Sequence, residues 1–356
     1  MKHFRIGRLT IQPVPLLLTL AIAALGGLVA WLLHLPLPWL MGSLVGIALL
    51  AILGLRPLGQ PIHMPTPLRQ AFVPVIGVAI GGNFTTEILQ QLGNWIPSLL
   101  ALCLYIPLAH FVAYRIYRFG GIDRLTSYYG TIPGGLIESV TMGEEKGADR
   151  GMLVLMQFLR LIVTIMAVPL IFALLTGGSV GSGAGVEMVG ADHALSLRDI
   201  AVLVVAGGGG YWLAHRLRFP AAVMTGPILA SAIAHLTGLV EGVPPGWVIN
   251  MTQVVIGAGL GAGFAGMAGA TLRKGAGLAT ISTGTLLLLA WGFAILLREV
   301  IDQPASAIFL AFAPGGITEM SLIALGLQIS VIYVAAHHVV RIVLSVSIAR
   351  AFAGRL

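Results

Sequence analysis

A helix breaker, a carboxylate and a guanidinium occur together twice, at fixed spacing, in a chain that otherwise avoids charge. Ile132-Pro133-Gly134-Gly135-Leu136-Ile137-Glu138 returns as Ala313-Pro314-Gly315-Gly316-Ile317-Thr318-Glu319, 181 positions later. Each copy lies in an apolar stretch, and each proline is followed 27 residues on by an arginine, Arg160 or Arg341. An ionisable side chain at membrane depth costs roughly 2.5–3.5 kcal/mol on insertion scales, so such residues mark working sites. The spacing points to a duplicated architecture, and the charges show where its chemistry should be sought.

Membrane depth is the right frame because only 9% of the 356 residues are charged and 57% are hydrophobic, with mean hydropathy +0.97. A soluble domain carries about 25% charged residues, so the soluble classes are excluded and an all-α polytopic membrane protein is expected. The first apolar run, Val14 to Leu33, follows Lys2, Arg5 and Arg8 as a signal peptide would. Its length and the lack of a small-residue cleavage site make it a span instead. A net charge of +7 reflects the Lys and Arg excess of cytoplasmic loops rather than direct nucleic-acid binding, for which no loop is long enough. Cys103 is the only cysteine, which excludes an intrachain disulfide and a thiolate metal cluster.

The apolar runs predict ten spanning helices in two sets of five. The first set covers roughly 14–34, 37–55, 71–92, 94–114 and 151–176, the second roughly 198–214, 220–240, 249–270, 276–297 and 328–349. Each Pro-Gly-Gly segment falls between the fourth and fifth helix of its set. Residues 1–176 thus form a first repeat and 198–356 a second, joined by a Gly/Ser-rich linker over 177–197. Further matches hold the register. Leu35-Pro36 through Gly42 resembles Phe219-Pro220 through Gly226, Ile76 through Phe84 resembles Ile256 through Phe264, and Gln157 falls over His338.

Orientation decides between parallel and inverted repeats. With the N-terminus inside and each Pro-Gly-Gly segment dipping in and returning on one side, 16 of the 20 Lys and Arg are cytoplasmic. Arg198 and Arg298 are then outside, and Arg160 and Arg341 are embedded. If the segments cross instead, the division falls to 12 inside and 6 outside. The first arrangement follows the positive-inside rule better, and places both termini in the cytoplasm. An odd number of spans per half turns the second repeat upside down, as in many secondary transporters with broken helices.

Proline favours the first turn of a helix and two glycines permit an abrupt turn, so Pro133 and Pro314 should begin short half-helices carrying Glu138 and Glu319. Broken backbone at this depth must be buried in protein or line a water-filled cavity. The free amides of Gly134, Gly135, Gly315 and Gly316 favour an anion, with Arg160 and Arg341 to grip it and one glutamate to carry a proton or hold sodium. The plainer alternative pairs Glu138 with Arg341 and Glu319 with Arg160, locking the halves together, and the two readings are compatible. Gln157 and His338 share a face with the arginines, His338 as a hydrogen-bonding or proton-handling partner.

Asn83, among Gly77, Gly81 and Gly82, either lines the pathway or ends a helix packed closely through small residues, as Gly257, Gly259, Gly261 and Gly263 also suggest. Tyr128 and Tyr129 read as interfacial anchors. His337 and His338 point about 100° apart on a helix, so they make a poor metal pair, and no metal site is expected. Gly207 to Gly210 lacks the Lys-Ser/Thr of a phosphate loop. No catalytic constellation is visible, and no enzyme is expected.

Leu37-Pro38-Trp39-Leu40-Met41-Gly42, the two Pro-Gly-Gly-x-x-Glu motifs, and the Gln157/Arg160 and His338/Arg341 pairs resemble the membrane AbrB family. That family also carries the labels ammonia monooxygenase and AbrB family transcriptional regulator. The resemblance covers nearly the whole chain as two copies of the family's duplicated domain. It implies a bacterial inner-membrane protein linked to regulation of gene expression. The residues show no metal or flavin ligands for a monooxygenase and no DNA-binding surface. The expected function is therefore secondary transport of a small organic anion or related metabolite by alternating access. H+ or Na+ is the coupling ion, no cofactor is needed, and any effect on transcription is indirect. The alternative is a membrane sensor that binds a small molecule without moving it. Besides substrate and lipid bilayer, a homo-oligomer stays open as a partner.

Overall fold

A computed structural model describes residues 4–6, 9–176, 195–267 and 269–352. The linker expected over 177–197 lies almost entirely outside the described residues. A short antiparallel hairpin, β1 (Phe4–Ile6) and β2 (Leu9–Ile11), precedes the helices. The first half holds α1 (Pro13–Leu32), α2 (Pro38–Ile52), α3 (Thr66–Gly81), α4 (Thr86–Gln91), α5 (Ile96–Phe119), α6 (Arg124–Gly130), α7 (Leu136–Glu145) and α8 (Arg150–Thr176). The second holds α9 (Leu197–Arg216), α10 (Ala222–Leu236), α11 (Gly246–Ala262), α12 (Gly269–Leu297), α13 (Ala305–Phe312), α14 (Ile317–Gly326) and α15 (Val331–Phe352).

Among the described residues, six helices are long and apolar enough to cross a bilayer: α1, α8, α9, α12, α15 and α5 with the short 3-10 turn before it. Leucines such as Leu17, Leu104, Leu288 and Leu296 stand open on them, as suits helices solvated by lipid. This is the architecture of a polytopic membrane protein. The second and third helices of each half are shorter than the apolar runs suggested. The run expected over 71–92 starts at Thr66 and stops at Gly81, because the Asn83 amide turns back to donate to the Ala79 carbonyl (2.9 Å) and ends the helix. A separate short helix, α4, follows.

The chain divides into two compact units, and neither coincides with a sequence half. One comprises Met1–Phe84, Val168–Gly269 and Leu325–Leu327, and so contains α1–α3 and α9–α11. Its helices meet at glycines with no side chain between the backbones. A Cβ on Gly26 of α1 would stand 2.5 Å from the Gly42 carbonyl oxygen of α2, and one on Gly210 of α9 would stand 2.7 Å from that of Gly226 in α10. Gly261 of α11 faces the Leu44 carbonyl (2.7 Å) and Gly81 of α3 faces the Ile228 carbonyl (2.6 Å), so these glycines serve close helix packing. The backbone repeats its irregularities as well. His34 and Arg218 share φ 55°, and Leu37 and Ala221 have φ 44° and 49° at the N-caps of α2 and α10.

The other unit comprises Thr85–Ala167, Ala270–Ala324 and Gln328–Leu356. It holds both Pro-Gly-Gly segments and both embedded arginines. Asp123 caps α6, its carboxylate accepting from the Thr126 amide at 2.9 Å. Partial burial pushes this carboxyl up, but hydrogen bonds from the Thr126 hydroxyl and from the backbone amides of Thr126, Asp123 and Leu125 together outweigh it and leave the group below its ordinary value. A depressed carboxyl contributes stability above its unfolded pKa and loses it as pH falls through the folded one. Asp123→Ala is therefore expected to cost about 1 kcal/mol at neutral pH. Thermal unfolding in detergent should show that difference shrinking towards acid pH.

Candidate functional site

Both helix breaks are built alike. After α6 the chain is irregular from Thr131 to Gly135, and after α13 from Ala313 to Gly316. The half-helices begin at Leu136 and Ile317, not at the prolines. Gly135 is the N-cap of α7 with φ 68°, a left-handed conformation that a glycine adopts without steric cost. The two glycines, rather than the ring of Pro133, therefore set the helix start. In the first copy the segment doubles back: the Thr126 hydroxyl at the start of α6 accepts from the Asp149 amide just before α8 (2.9 Å). On α7, a Cβ at Gly143 would lie 3.0 Å from that of Tyr129.

Each arginine fastens the break of its own half. Arg160 donates through Nη1 to the Ile132 carbonyl (2.8 Å) and through Nη2 to Gln157 Oε1 (2.7 Å). Arg341 donates through Nη1 to the Ala313 carbonyl, and through Nη2 to the Gly315 carbonyl and to His338 Nδ1 (2.8 Å). Gln157 Nε2 also reaches the Tyr129 carbonyl (3.3 Å), as His338 Nε2 reaches that of Leu310 (2.9 Å). Ile132 matches Ala313, Tyr129 matches Leu310 and Gln157 matches His338 at the spacing of the sequence motif, while the grip on Gly315 belongs to the second copy. Both arginines are the eleventh residue of their helix, roughly 15 Å from its start at 1.5 Å per residue. They are 8% and 2% exposed, and in each the Nε is buried without a hydrogen-bond partner.

The glycine tips then meet the arginine helix of the other half. A Cβ on Gly134 would lie 3.3 Å from Ile342 Cα, and one on Gly316 would lie 3.6 Å from Leu161 Cδ2. The Thr164 hydroxyl, one turn beyond Arg160, lies 3.5 Å from the Pro314 carbonyl. Each break is thus held by its own guanidinium and seated on its counterpart's helix.

The expected pairing is of Glu138 with Arg341 and of Glu319 with Arg160. Among the described residues the hydrogen bonds of the two guanidiniums go instead to backbone carbonyls freed by the breaks and to Gln157 and His338. The glutamates occupy the third position of α7 and α14 and fold back over the second glycine of each motif. Glu138 Oε2 lies 3.1 Å from where a Gly135 Cβ would be, and Glu319 Oε2 fills the corresponding space at Gly316. A carboxylate there stands at the positive end of a short helix.

The structure brings Gly134, Gly135, Glu138, Gln157 and Arg160 together with Gly315, Gly316, Glu319, His338 and Arg341 in one compact unit. Asn83 belongs to the other unit, with its amide committed to its own helix. Sequence reasoning missed Tyr105, which lies in the field of both guanidiniums, and Thr164. Ser139, a visible difference from Met320, hydrogen-bonds Gln157 Nε2 (3.2 Å). Tyr128 and Tyr129 are buried rather than interfacial: the Tyr128 hydroxyl donates to the Ala349 carbonyl (3.3 Å) and its ring stands edge-on to His110.

Comparison with known proteins gives consistent matches across the chain. A family model described as "Transition state regulatory protein AbrB" matches residues 49–356. The "Uncharacterized protein YhjN" of Bacillus subtilis (strain 168) is 26% identical over 346 residues, covering 92% of this chain and 90% of that protein. The "Putative regulator AbrB" of Escherichia coli (strain K12) is 27% identical over 296 residues, covering 82% of each.

Proposed function

The chain belongs to the AbrB family, and from its paired arginine clasps we propose that it is a secondary transporter for a small organic anion or related metabolite. The observation that carries this reading is the pair of buried guanidiniums at the same position in their helices, each spent on broken backbone yet keeping an Nε with no hydrogen-bond partner among the described residues. Two uncompensated cations inside a membrane domain are costly, and a bound anion relieves that cost. The N-termini of α7 and α14 add amide donors to the same region.

In this reading the halves are inverted repeats of five spans, each with a re-entrant Pro-Gly-Gly hairpin. The doubling back of α6 and α7 supports it, as do the matched glycine seams of α1/α2 and α9/α10. The protein sits in the inner membrane with both termini cytoplasmic, works by alternating access coupled to H+ or Na+, and performs no enzymatic step. Effects on gene expression then follow from movement of a metabolite.

The regulator names carried by the family model and by the Escherichia coli relative favour a second reading, a sensor that binds without transporting. The first experiment is a thermal-shift screen of purified protein against small carboxylates, amines, ammonium and sodium. Arg160→Lys, Arg341→Lys and Glu138→Gln run beside it. Lysine keeps the charge but not the planar fork. A ligand at about 100 times its Kd stabilises the wild type by about 2.7 kcal/mol, and this gain should shrink in the variants. Equal stabilisation of all four proteins places binding elsewhere and overturns the reading. Flux in proteoliposomes then separates carrier from sensor.

A further inference from the structure

The two clasps share the carbonyl contacts at Ile132/Ala313 and Tyr129/Leu310, but Arg341 grips the Gly315 carbonyl as well, and the side-chain acceptor differs in kind. Where Gln157 accepts from Arg160 through Oε1, His338 accepts from Arg341 through Nδ1. An amide cannot titrate near neutral pH, whereas an imidazole can. The hydrogen bonds also fix the imidazole's state. Arginine only donates, so Nδ1 carries the lone pair, and Nε2–H donates to the Leu310 carbonyl at 2.9 Å. The closed clasp therefore holds His338 neutral, fully buried at 0% exposure.

We propose that His338 Nδ1 is a proton-binding site that releases the second hairpin, while the first hairpin has no equivalent. As the coupling site this rests on the carrier reading above; as a proton site it stands on the hydrogen bonds alone. A proton arriving from water occupies the Nδ1 lone pair. The bond from Arg341 Nη2 breaks, and an imidazolium stands beside a guanidinium. Arg341 also holds the Ala313 and Gly315 carbonyls, so repelling it loosens the break itself.

Among the described residues, the hydrogen bonds of His338 and Arg341 go to no carboxylate. On the same helix stand His337 and Arg341. His337 is engaged with the Tyr333 carbonyl and Ser98. Of the elements packed on α15, α13 carries no titratable residue, and α5 brings Tyr105 into the field of Arg341. Glu138 of α7 folds towards Gly135, and Glu319 of α14 towards Gly316. Arg160 on α8 adds positive charge felt at Arg341. His110 of α5 faces Thr131 and Tyr128, at the first break.

The test is hydrogen exchange by mass spectrometry on the full chain in detergent, corrected for the intrinsic pH dependence of amide exchange. An open form with a histidine pKa of about 6.5, and a closed form that binds no proton, give an opening constant about 30-fold larger near pH 5 than near pH 7.5. Peptides over residues 313–326 should approach that rise in the wild type and lose it in His338→Gln. Glutamine already makes the same contacts in the first clasp, so this variant should fold. A rise that persists in His338→Gln, or no rise in the wild type, overturns the proposal. Should His338→Gln not fold, Gln157→His decides: peptides over residues 132–145 gain a pH response, or the proposal fails. The readout needs no substrate, so failure here leaves the carrier reading to its own ligand test.

Discussion

Replacing Arg341 by alanine is expected to unfasten the second break and cost several kcal/mol of stability. The Gly315 carbonyl and His338 Nδ1 lose their donor, while the Ala313 carbonyl keeps the Gly315 amide (2.8 Å) but loses its bond to a cation. A stranded buried acceptor costs roughly 1–3 kcal/mol and a hydrogen bond to a charged group is worth about 1.5–3 kcal/mol, so the three losses together cost on the order of 6 kcal/mol. Removing the cation gives back roughly 2.5–3.5 kcal/mol of its insertion cost, which leaves a net loss of about 3 kcal/mol. Arg160→Ala strands Gln157 Oε1 and leaves the Ile132 carbonyl the longer bond from Gln157 Nε2 (3.3 Å), and should therefore cost less than Arg341→Ala. Thermal unfolding in detergent measures both, with hydrogen exchange at the breaks as a local readout. Equal, small losses for the two variants would mean that water substitutes for the guanidinium and that the clasp is not what holds the backbone.

The second large effect lies in the other unit. Gly42→Ala should abolish the close approach of α1 and α2, because a Cβ there falls on the carbonyl of Gly26, backbone that cannot move aside. Overpacking ordinarily costs about 1–3 kcal/mol, and a clash with backbone along a whole helix seam belongs at or above the upper end. Gly226→Ala meets the Gly210 carbonyl in the same way and should behave alike. Gly208, in open space on α9, is the control: alanine there should stabilise by about 1 kcal/mol through helix propensity. Size-exclusion profiles and melting temperatures of the three variants would separate these outcomes. Tolerance of Gly42→Ala would show that the helices can part without penalty.

The membrane character and the burial of Arg160 and Arg341 were legible because they follow from spacing and hydropathy, whereas of the ten expected spans six are long and apolar enough to cross a bilayer. The 181-residue offset already aligned Gln157 with His338. The partners of the arginines were not legible. A sequence displays Glu138 and Glu319 as the obvious counter-charges, but it does not display carbonyls, which become acceptors only when a helix is interrupted. The start of α7 was misplaced by three residues because the left-handed turn at Gly135 prevailed over proline's preference for a first turn; α14 also starts three residues past its proline, without such a turn at Gly316. Tyr128 and Tyr129 look interfacial beside a charged loop, yet residues remote in sequence, Ala349 among them, bury them. The compact units also escaped the reading, since each takes helices from both halves and only contacts between distant segments define them.

The way Arg341 is spent also sets how long it could hold a guest. Its Nη2 gives both hydrogens away, one to the Gly315 carbonyl and one to His338. The two-pronged edge that Nη2 forms with Nε, the grip that makes arginine a tenacious carboxylate binder, is therefore no longer on offer. A visiting carboxylate meets the single Nε–H on that edge. Such a handhold favours brief residence and rapid exchange, which suits the carrier proposed above.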